Sequence, residues 1–527
     1  MPTDDSQDQA GFALLSLAVL AVFGIAIAYH APNKLDHDVS YFLAVSQLVN
    51  NGDQLYVDLI DFNTPAAVFI GQLSDWIANA LHAPLDQTHK GVLLVVAAIG
   101  LALCFAVLFP LLRKPGLGRW CIAIGLPAAI LFATPAIGGR EHLAMIGLMP
   151  WVLSTAMAER ASSSRTLSIA LGTAAGCAML LKPHFVAFGL TIGLVELVRN
   201  RGRLDRLSLA TWTAGIVSIS LYLGLFLLVP TYLGEMFPFS SETFGRLSSD
   251  RLQAAASLVM SGKPIATLLL IYILARPASG LRFFNLPVVV AVVFIVTAIA
   301  IYIFQGFSFP YQLLPVKIAL AVCTVFLLAQ RLSGKSASFS SLPGPRTALV
   351  LATVTFGLVM SWPPDVLAPY PKRQDMLEEP LLAALTPPRK GDAILVISTA
   401  VDPASEFLTY LDVEWSAPVI TFFPIPALIR QNGRSGIDHP PPPNVREHWT
   451  EWFRDRAARR FAAKPPVRVA VEISDRQVFF EHSGFDLLAW LREDQAFDSA
   501  WQKAGLEKIG SPIEWNGRIY QMYAATT

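Results

Sequence analysis

The stretch LDHDVSYFLAVSQLVNNGDQLYVDLIDFNTP, residues 35–65, places five aspartates just after the apolar segment GFALLSLAVLAVFGIAIAY of residues 11–29. An apolar run of about 20 residues is long enough to cross a bilayer as a helix. The residues before it, MPTDDSQDQ, are acidic, whereas a cleaved signal peptide begins with a positively charged region. We therefore expect the apolar segment to stay in the membrane as an anchor, with the acidic stretch following it outside the lipid.

The composition of the whole chain is that of a membrane protein. Hydrophobic residues make up 54% of it and charged residues 15%, and the mean hydropathy is +0.49, far above that of a soluble protein of this length. The net charge of +1 gives no reason to expect a nucleic-acid partner. The four cysteines lie inside apolar runs, outside any metal-ligand or CxxC spacing, so we expect neither a disulfide framework nor a zinc site.

Apolar runs of about 17–25 residues, the length that spans a bilayer, recur through the first two thirds of the chain. We predict about eleven transmembrane helices, near 11–29, 91–112, 120–135, 142–158, 166–181, 185–198, 208–230, 264–275, 285–304, 310–330 and 346–362.

Basic residues are concentrated in every second connection between these predicted spans. They are Arg113, Lys114 and Arg119; Arg160 and Arg165; Arg199, Arg201, Arg203 and Arg206; Arg276 and Arg282; and Arg331, Lys335 and Arg346. Connections rich in lysine and arginine stay in the cytoplasm. The pattern therefore predicts a multi-pass membrane protein with its N-terminus inside and all residues after Trp362 outside.

The last part of the chain has the composition of a soluble domain. GDAILVIST and VRVAVEIS are typical of buried strands, whereas ASEFLTYLDV, VREHWTEWFRDRAARRFA and FDLLAWLRE are typical of helices. We predict a transmembrane domain over 1–362 and an extracytoplasmic α/β domain over 363–527. The second domain shows no catalytic constellation, so we expect it to shape a substrate site or to dock a partner.

Polar residues collect in the connections predicted to face outward, while the span centres are almost free of charge. The outward set comprises Asp36, His37, Asp38, Asp58, Asp61 and Asn63; Arg140, Glu141 and His142; Lys182 and His184; Glu235, Glu242 and Arg246; and Gln305, Tyr311 and Gln312. A transporter needs ionisable groups near the bilayer midplane. The pattern instead favours an enzyme whose site lies at the outer membrane surface and receives one reactant from the lipid.

The first outward connection, with its acidic residues, its Tyr/Phe-rich helix and then NGDQLYVDLIDFNTP, resembles that of the GT-C-fold membrane glycosyltransferases. The branch it is most similar to uses polyprenyl-phosphate sugars and includes protein mannosyltransferases and lipid A aminoarabinose transferases. The resemblance implies a catalytic carboxylate in this connection, binding of the lipid phosphate by later connections, and a soluble domain after the last span. It also implies that the protein lies in the bacterial inner membrane. The chain has DHD where these relatives often have an adjacent Asp-Glu pair.

The chemistry of sugar transfer suggests roles for these residues. We expect Asp38 to be the general base, with Asp36, the second catalytic candidate, or Asp58 orienting it or holding a divalent cation. Asp36 and Asp38 are the first candidates to hold any Mg2+ or Mn2+ that is required. Arg140, Lys182 and His184 are the candidates for binding the donor phosphate. The candidates for acceptor binding or support are Asp58, Asp61, Asn63, Glu141, His142 and Gln312. The expected partners are membrane lipid, the lipid-linked sugar donor, and a glycan, lipid or protein acceptor.

Structural roles compete with each of these assignments. Asp36 or Asp38 is placed to cap the helix that begins near Val39, and Asp58, Asp61 and Asn63 are typical turn residues. Lys182 sits where a side chain would extend from a helix end to the interface. The residues Arg140, Glu141 and His142 would also suit an ion pair that fixes the loop. Three other function classes stay open: a polysaccharide polymerase or ligase, a lipid-linked sugar transporter, and a non-catalytic scaffold.

Overall fold

The computed structural model describes residues 5–114, 116–134, 137–158, 164–243, 255–256, 286–306, 309–332, 370–429, 442–474, 477 and 485–526. Within these residues the helices are α1 (Asp5–His30), α2 (His37–Asn50), α3 (Ala66–Leu81), α4 (Leu85–Leu112), α5 (Leu117–Trp120), α6 (Leu126–Leu131), α7 (Arg140–Met157), α8 (Arg165–Leu180), α9 (Val186–Arg199), α10 (Leu209–Leu228), α11 (Phe237–Glu242), α12 (Leu286–Gln305), α13 (Leu314–Leu332), α14 (Arg373–Leu377), α15 (Pro380–Leu385), α16 (Ala404–Tyr410), α17 (Ile425–Ile429), α18 (Pro443–Ala463), α19 (Leu487–Arg492) and α20 (Gln495–Lys503).

Five helical stretches of the described residues are long and apolar enough to cross a membrane: Ala10–His30, Leu85–Leu112, Leu209–Leu228, Leu286–Gln305 and Tyr311–Gln330. The other predicted spans within the described residues also coincide with helices, but these helices are shorter or less apolar. The predicted spans at 264–275 and 346–362 lie outside the described residues. The helical membrane architecture is therefore confirmed, while the count of about eleven spans stays a prediction.

The described part of the predicted span at 120–135 lies in the apolar helical stretch Leu117–Leu131, which contains an irregular turn. The turn Cys121–Gly125 is wound as a π-helix between α5 and α6. Pro127 lies at the start of α6 and has no amide hydrogen to offer the carbonyl of Ala123, so the regular hydrogen-bond ladder is broken there.

Contacts between residues divide the chain into two compact units. The first comprises Met1–Pro32, Val92–Leu223 and Asp250–Tyr370, and in it α7 packs on α8 and on α12. Gly172 and Gly176 let α8 approach α10 closely: a Cβ on Gly172 would lie 2.4 Å from the carbonyl oxygen of Ala210, and one on Gly176 would lie 2.7 Å from Val217. Glycines at this spacing are typical of helix contacts in membranes.

The second unit comprises Asn33–Gly91, Gly224–Ser249 and Pro371–Thr527 and contains the sheet. Its strands are β1 (Ala393–Ile397), β2 (Glu414–Trp415), β3 (Arg468–Glu472), β4 (Leu506–Trp515) and β5 (Arg518–Ala525). The strand order is β2-β1-β3-β5-β4; β1 is parallel to both β2 and β3, and β5 is antiparallel to both β3 and β4. Predicted strands GDAILVIST and VRVAVEIS are thus confirmed as β1 and β3.

The first connection predicted to face outward belongs to the second unit, together with the C-terminal region. Ile60 donates its amide to the carbonyl of Pro418 at 2.6 Å, and the ring centroids of Phe62 and Phe423 lie 5.6 Å apart. Glu242 of the fourth connection accepts a 2.6 Å hydrogen bond from the indole of Trp449 on α18. The predicted domain boundary at 362 lies outside the described residues and stays a prediction.

Candidate active site

The carboxylates Asp36 and Asp38 stand at the N-terminal end of α2 and have different local roles. Asp36 is the N-cap, and its Oδ1 accepts a hydrogen bond from the backbone amide of Asp38 at 3.0 Å. Asp38 lies in the first helical turn. The cap role considered for both residues therefore belongs to Asp36, while the Asp38 carboxylate stands where the free amides of a helix start favour negative charge.

His37 lies between these two carboxylates. Its Nδ1 is 3.8 Å from Asp36 Oδ2 and its Nε2 is 3.8 Å from Asp38 Oδ1, and its side chain is 43% exposed. Burial on its own would lower the pKa of His37, but the carboxylates of Asp36, Asp38, Asp402 and Glu406 outweigh it and raise the pKa. The site therefore combines negative charge with access for solvent.

This three-residue cluster is suited to a divalent cation. One ligand atom from each of Asp36, His37 and Asp38 lies within 4.8 Å of the others. Carboxylate oxygens suit Mg2+ or Mn2+, and an imidazole is more readily accepted by Mn2+. The sequence predicted Asp36 and Asp38 as ligands and did not include His37, although it stands between them.

The remaining acidic residues of the first connection hold the loop in shape. Asp58 Oδ2 accepts the backbone amide of Gln54 at 2.8 Å, which is turn chemistry. Asp61 is fully buried, and its Oδ1 accepts from the backbone amide of Asn63 at 3.0 Å and from its side chain at 2.6 Å. The hydroxyl of Tyr56 donates to the carbonyl of Asn63 at 2.6 Å. These contacts agree with the alternative that Asp58, Asp61 and Asn63 are turn residues.

A second polar cluster lies in the first unit around Lys182, between α8 and α9. The buried ammonium of Lys182 pairs with Glu141 of α7. It also donates to Gln305 Oε1 at the end of α12, at 3.5 Å, and lies 5.4 Å from the ring centroid of Tyr311. The ends of several apolar helices thus bring their polar residues together. Lys182 is buried in the protein, so its side chain does not extend to the membrane-water interface.

Three buried polar atoms in this part of the first unit have no hydrogen-bond partner among the described residues: His184 Nε2, Gln305 Nε2 and Gln312 Oε1. Burial, followed by the charges of Lys182 and Arg140, lowers the pKa of His184 to about 3, so its imidazole is neutral. Leaving a buried polar group without a hydrogen bond costs about 1–3 kcal/mol. Of the three, His184 Nε2 and Gln305 Nε2 can donate, and both residues lie near the ammonium of Lys182; donors beside a cationic side chain are suited to an anionic ligand. Gln312 Oε1 is an acceptor and does not fit an anion in the same way.

His142 is already occupied by structural hydrogen bonds. Its Nε2 lies 2.8 Å from the carbonyl oxygen of Ile130, and its Nδ1 accepts the backbone amide of Gly138 at 3.3 Å. His142 therefore fixes the start of α7 against the end of α6. Arg246 of the fourth connection lies outside the described residues.

Gln305 is named above among the polar residues of the outward connections but without a role in the site, and the structure brings it to Lys182. A polar residue that ends an apolar span, as Gln305 does in IFQGF, was the available signal.

The comparisons with known proteins concern the fold. No protein-family model and no curated protein sequence matches the chain. Among solved structures, ArnT from Cupriavidus metallidurans bound to undecaprenyl phosphate is similar with a TM-score of 0.53 and 12% sequence identity over 97% of each chain. The chain shares the GT-C fold of ArnT.

ArnT from the same organism in the apo state is similar as well, with a TM-score of 0.52 and 13% identity over 98% of each chain. Mycobacterial arabinofuranosyltransferase AftD aligns with a TM-score of 0.47 and 12% identity over 98% of this chain and 40% of its own. The two ArnT structures confirm the predicted resemblance at the level of the fold, and a shared fold by itself does not fix a function.

Proposed function

We propose that the chain is a membrane glycosyltransferase that moves a sugar from a polyprenyl-phosphate donor to an acceptor of the cell envelope. The observation that carries this proposal is the group of buried hydrogen-bonding atoms without partners beside Lys182, in a chain that shares its fold with ArnT bound to undecaprenyl phosphate. A cation, a neutral imidazole and the amide donor of Gln305 match the charge and the hydrogen-bonding capacity of a phosphate headgroup.

In the proposed reaction Asp38 takes the proton from the acceptor hydroxyl or amine. The acceptor atom forms a bond to the anomeric carbon of the sugar while the bond between that carbon and the phosphate oxygen breaks, and polyprenyl phosphate leaves. Arg140 and Lys182 offset the negative charge that develops on the leaving phosphate, and His184 donates to one of its oxygens. Before the phosphate binds, the carboxylate of Glu141 offsets the positive charge of Lys182.

A divalent cation would be held by Asp36, His37 and Asp38, the cluster described above. When bound, it would supply positive charge next to the acceptor and lower the pKa of its hydroxyl. Asp36 keeps a second role without the cation, because its cap bond to the Asp38 amide orients the first turn of α2.

The proposed topology places the reaction on the extracytoplasmic face of the bacterial inner membrane. It has about eleven spans, a cytoplasmic N-terminus and an outer C-terminal α/β domain, and the alternation of basic connections supports it. A reporter enzyme fused after residue 400 that is active only outside the cytoplasm should be active. An activity confined to cytoplasmic reporters at this position would reverse the topology.

Release of polyprenyl phosphate tests the activity itself. The protein, reconstituted in lipid vesicles, is given polyprenyl-phosphate sugars together with an envelope fraction as the source of acceptor. We expect free polyprenyl phosphate to appear at the same rate as labelled sugar in the acceptor fraction. Movement of intact donor between leaflets without loss of the sugar would instead support a transporter.

A further inference from the structure

Helix α2, which carries Asp38, is held at its N-terminal end by the C-terminal part of the chain. The ammonium of Lys34 donates to both carboxylate oxygens of Glu406 on α16, at 2.7 and 2.9 Å. The Glu406 residue is only 2% exposed. The backbone amide of Lys34 also donates to the carbonyl of Pro371 at 2.9 Å. The chain is thus fixed just before the cap residue of α2.

The C-terminal end of α2 is fixed in the same way. The amide of Asp53 donates to the carbonyl of Leu48, in the last turn of α2, at 3.1 Å. The carboxylate of Asp53 forms a bidentate salt bridge with the guanidinium of Arg460 on α18, in which Nη1 donates to Oδ1 at 2.8 Å and Nη2 donates to Oδ2. Lys464 donates to the same Oδ1 at 3.0 Å.

A third contact lies between these two ends. The hydroxyl oxygen of Thr409 on α16 lies 3.4 Å from the carbonyl oxygen of Ser40, near the start of α2, and 3.0 Å from the carbonyl oxygen of Ser405 in its own helix, so the two carbonyls share one donor. Helix α16 packs along α2. The sequence separation of these contacts is large, 369 residues for Thr409 and 407 for Arg460. All three contacts come from the region after the last predicted span.

We propose that Glu406 and Arg460 are positioning residues for Asp38, so that the C-terminal α/β region sets the reactive geometry of the first connection. The proposal rests on the proposed role of Asp38 as base. Neither residue needs to touch a substrate. A buried ion pair adds little net stability compared with apolar side chains of the same size, but it fixes which groups meet. A misplacement of about 1 Å in a catalytic group can cost about 10²-fold in rate.

The test compares Glu406→Gln with Asp412→Asn in the full-length protein in lipid vesicles. Asp412 is a matched control because its pair with Lys390 lies on the surface of the same unit, 54% and 79% exposed. Three quantities are measured: hydrogen exchange of the α2 amides, and kcat and KM for a polyprenyl-phosphate sugar. For Glu406→Gln we expect α2 exchange to be at least about tenfold faster and kcat to fall about 10–100-fold, with KM for the donor unchanged.

Lys34 supplies a second pair of variants in case Glu406→Gln does not fold. Lys34→Met should reproduce the fall in kcat, and Lys34→Arg, which keeps the charge, should restore most of it. Parent-like α2 exchange and kcat in both Glu406→Gln and Lys34→Met would overturn the proposal, and so would a fall in kcat without any change in α2 exchange. If the parent protein transfers no sugar, the proposed function fails, while the exchange measurement still decides whether Glu406 holds α2.

Discussion

The ion pair between Asp53 and Arg460 gives a prediction whose size follows from the structure. Asp53→Asn removes the charge from a carboxylate that is 7% exposed and faces a guanidinium that is 9% exposed. Asparagine keeps one acceptor oxygen, but its amide nitrogen is a donor and therefore cannot accept a hydrogen bond from the second guanidinium nitrogen. Arg460 is then left buried without a counter-charge and with two of its three hydrogen bonds, one of them to the carbonyl of Trp415. Lys464 keeps its 2.8 Å pair with Glu414.

Breaking a buried ion pair by removal of one partner costs about 3–5 kcal/mol. Because an acceptor oxygen survives in Asp53→Asn, we expect the lower end, about 3 kcal/mol. At about 1.4 kcal/mol for each factor of ten, opening of the second unit should become roughly 10²-fold more frequent at pH 7.

The pH dependence of this loss has a definite sign. Burial on its own would raise the pKa of Asp53, but the hydrogen bonds and charges of Arg460 and Lys464 outweigh it and lower the pKa. A lowered folded-state pKa contributes stability above the unfolded value of about 3.9, and this contribution is lost as the pH falls through the folded value. The gap between parent and Asp53→Asn should therefore be complete at pH 7 and should close below about pH 4.

Hydrogen exchange of the α18 amides, corrected for the intrinsic rate at each pH, measures the opening. Asp455→Asn is the control on the same helix, because its pair with Arg459 is 60% and 70% exposed and surface pairs contribute about 0–1 kcal/mol. Equal exchange in Asp53→Asn and parent at pH 7 would refute the reasoning, as would a loss of the same size in Asp455→Asn.

Three further predictions concern single sites. Asp36→Ala should destabilise α2 by about 1 kcal/mol and Asp36→Asn by almost nothing, since Asn caps as well as Asp; α2 exchange measures both, and equal losses would contradict the cap role. Gly71→Ala should cost about 1–3 kcal/mol in thermal stability, because a Cβ would lie 2.1 Å from Ser46 Oγ, whereas Gly91→Ala meets nothing within 4 Å and should cost nothing. Gln305→Leu should weaken binding of polyprenyl phosphate about 10–100-fold, the loss of a hydrogen bond of about 1.5–3 kcal/mol to a charged group, while parent-like affinity would remove Gln305 from the site.

Much of the fold can be predicted from the sequence because its signals are local. Apolar runs predict the helices, and β1 and β3 are apolar runs of strand length. The final hairpin was missed, although Asn516-Gly517 is the sequence signal for its turn, and both residues have positive φ, 49° and 71°. Gly517 and Asn516 adopt this conformation at little cost, which is why the pair is informative.

The contacts that hold the candidate site together could not be predicted in the same way. Lys34 and Glu406 are 372 residues apart, and a single sequence contains many lysines and glutamates that could pair. The grouping of the first connection with the C-terminal region follows from such long-range pairs. By contrast, the role of Asp36 as an N-cap could be predicted from the sequence, because the residue directly precedes a helix.

The central claim is that Asp38 is the general base. The most direct test measures transfer of a labelled sugar from a polyprenyl-phosphate donor by the Asp38→Asn variant, beside the parent protein and Asp36→Asn. Asparagine keeps the size of the side chain and leaves the Asp36 cap intact, so yield and α2 exchange should match the parent. Asparagine cannot accept the acceptor's proton, and loss of a general base costs about 10²–10⁴-fold in rate. We predict a fall of this size for Asp38→Asn and a milder one for Asp36→Asn. Parent-like turnover by Asp38→Asn would show that the catalytic carboxylate lies elsewhere and would contradict the account.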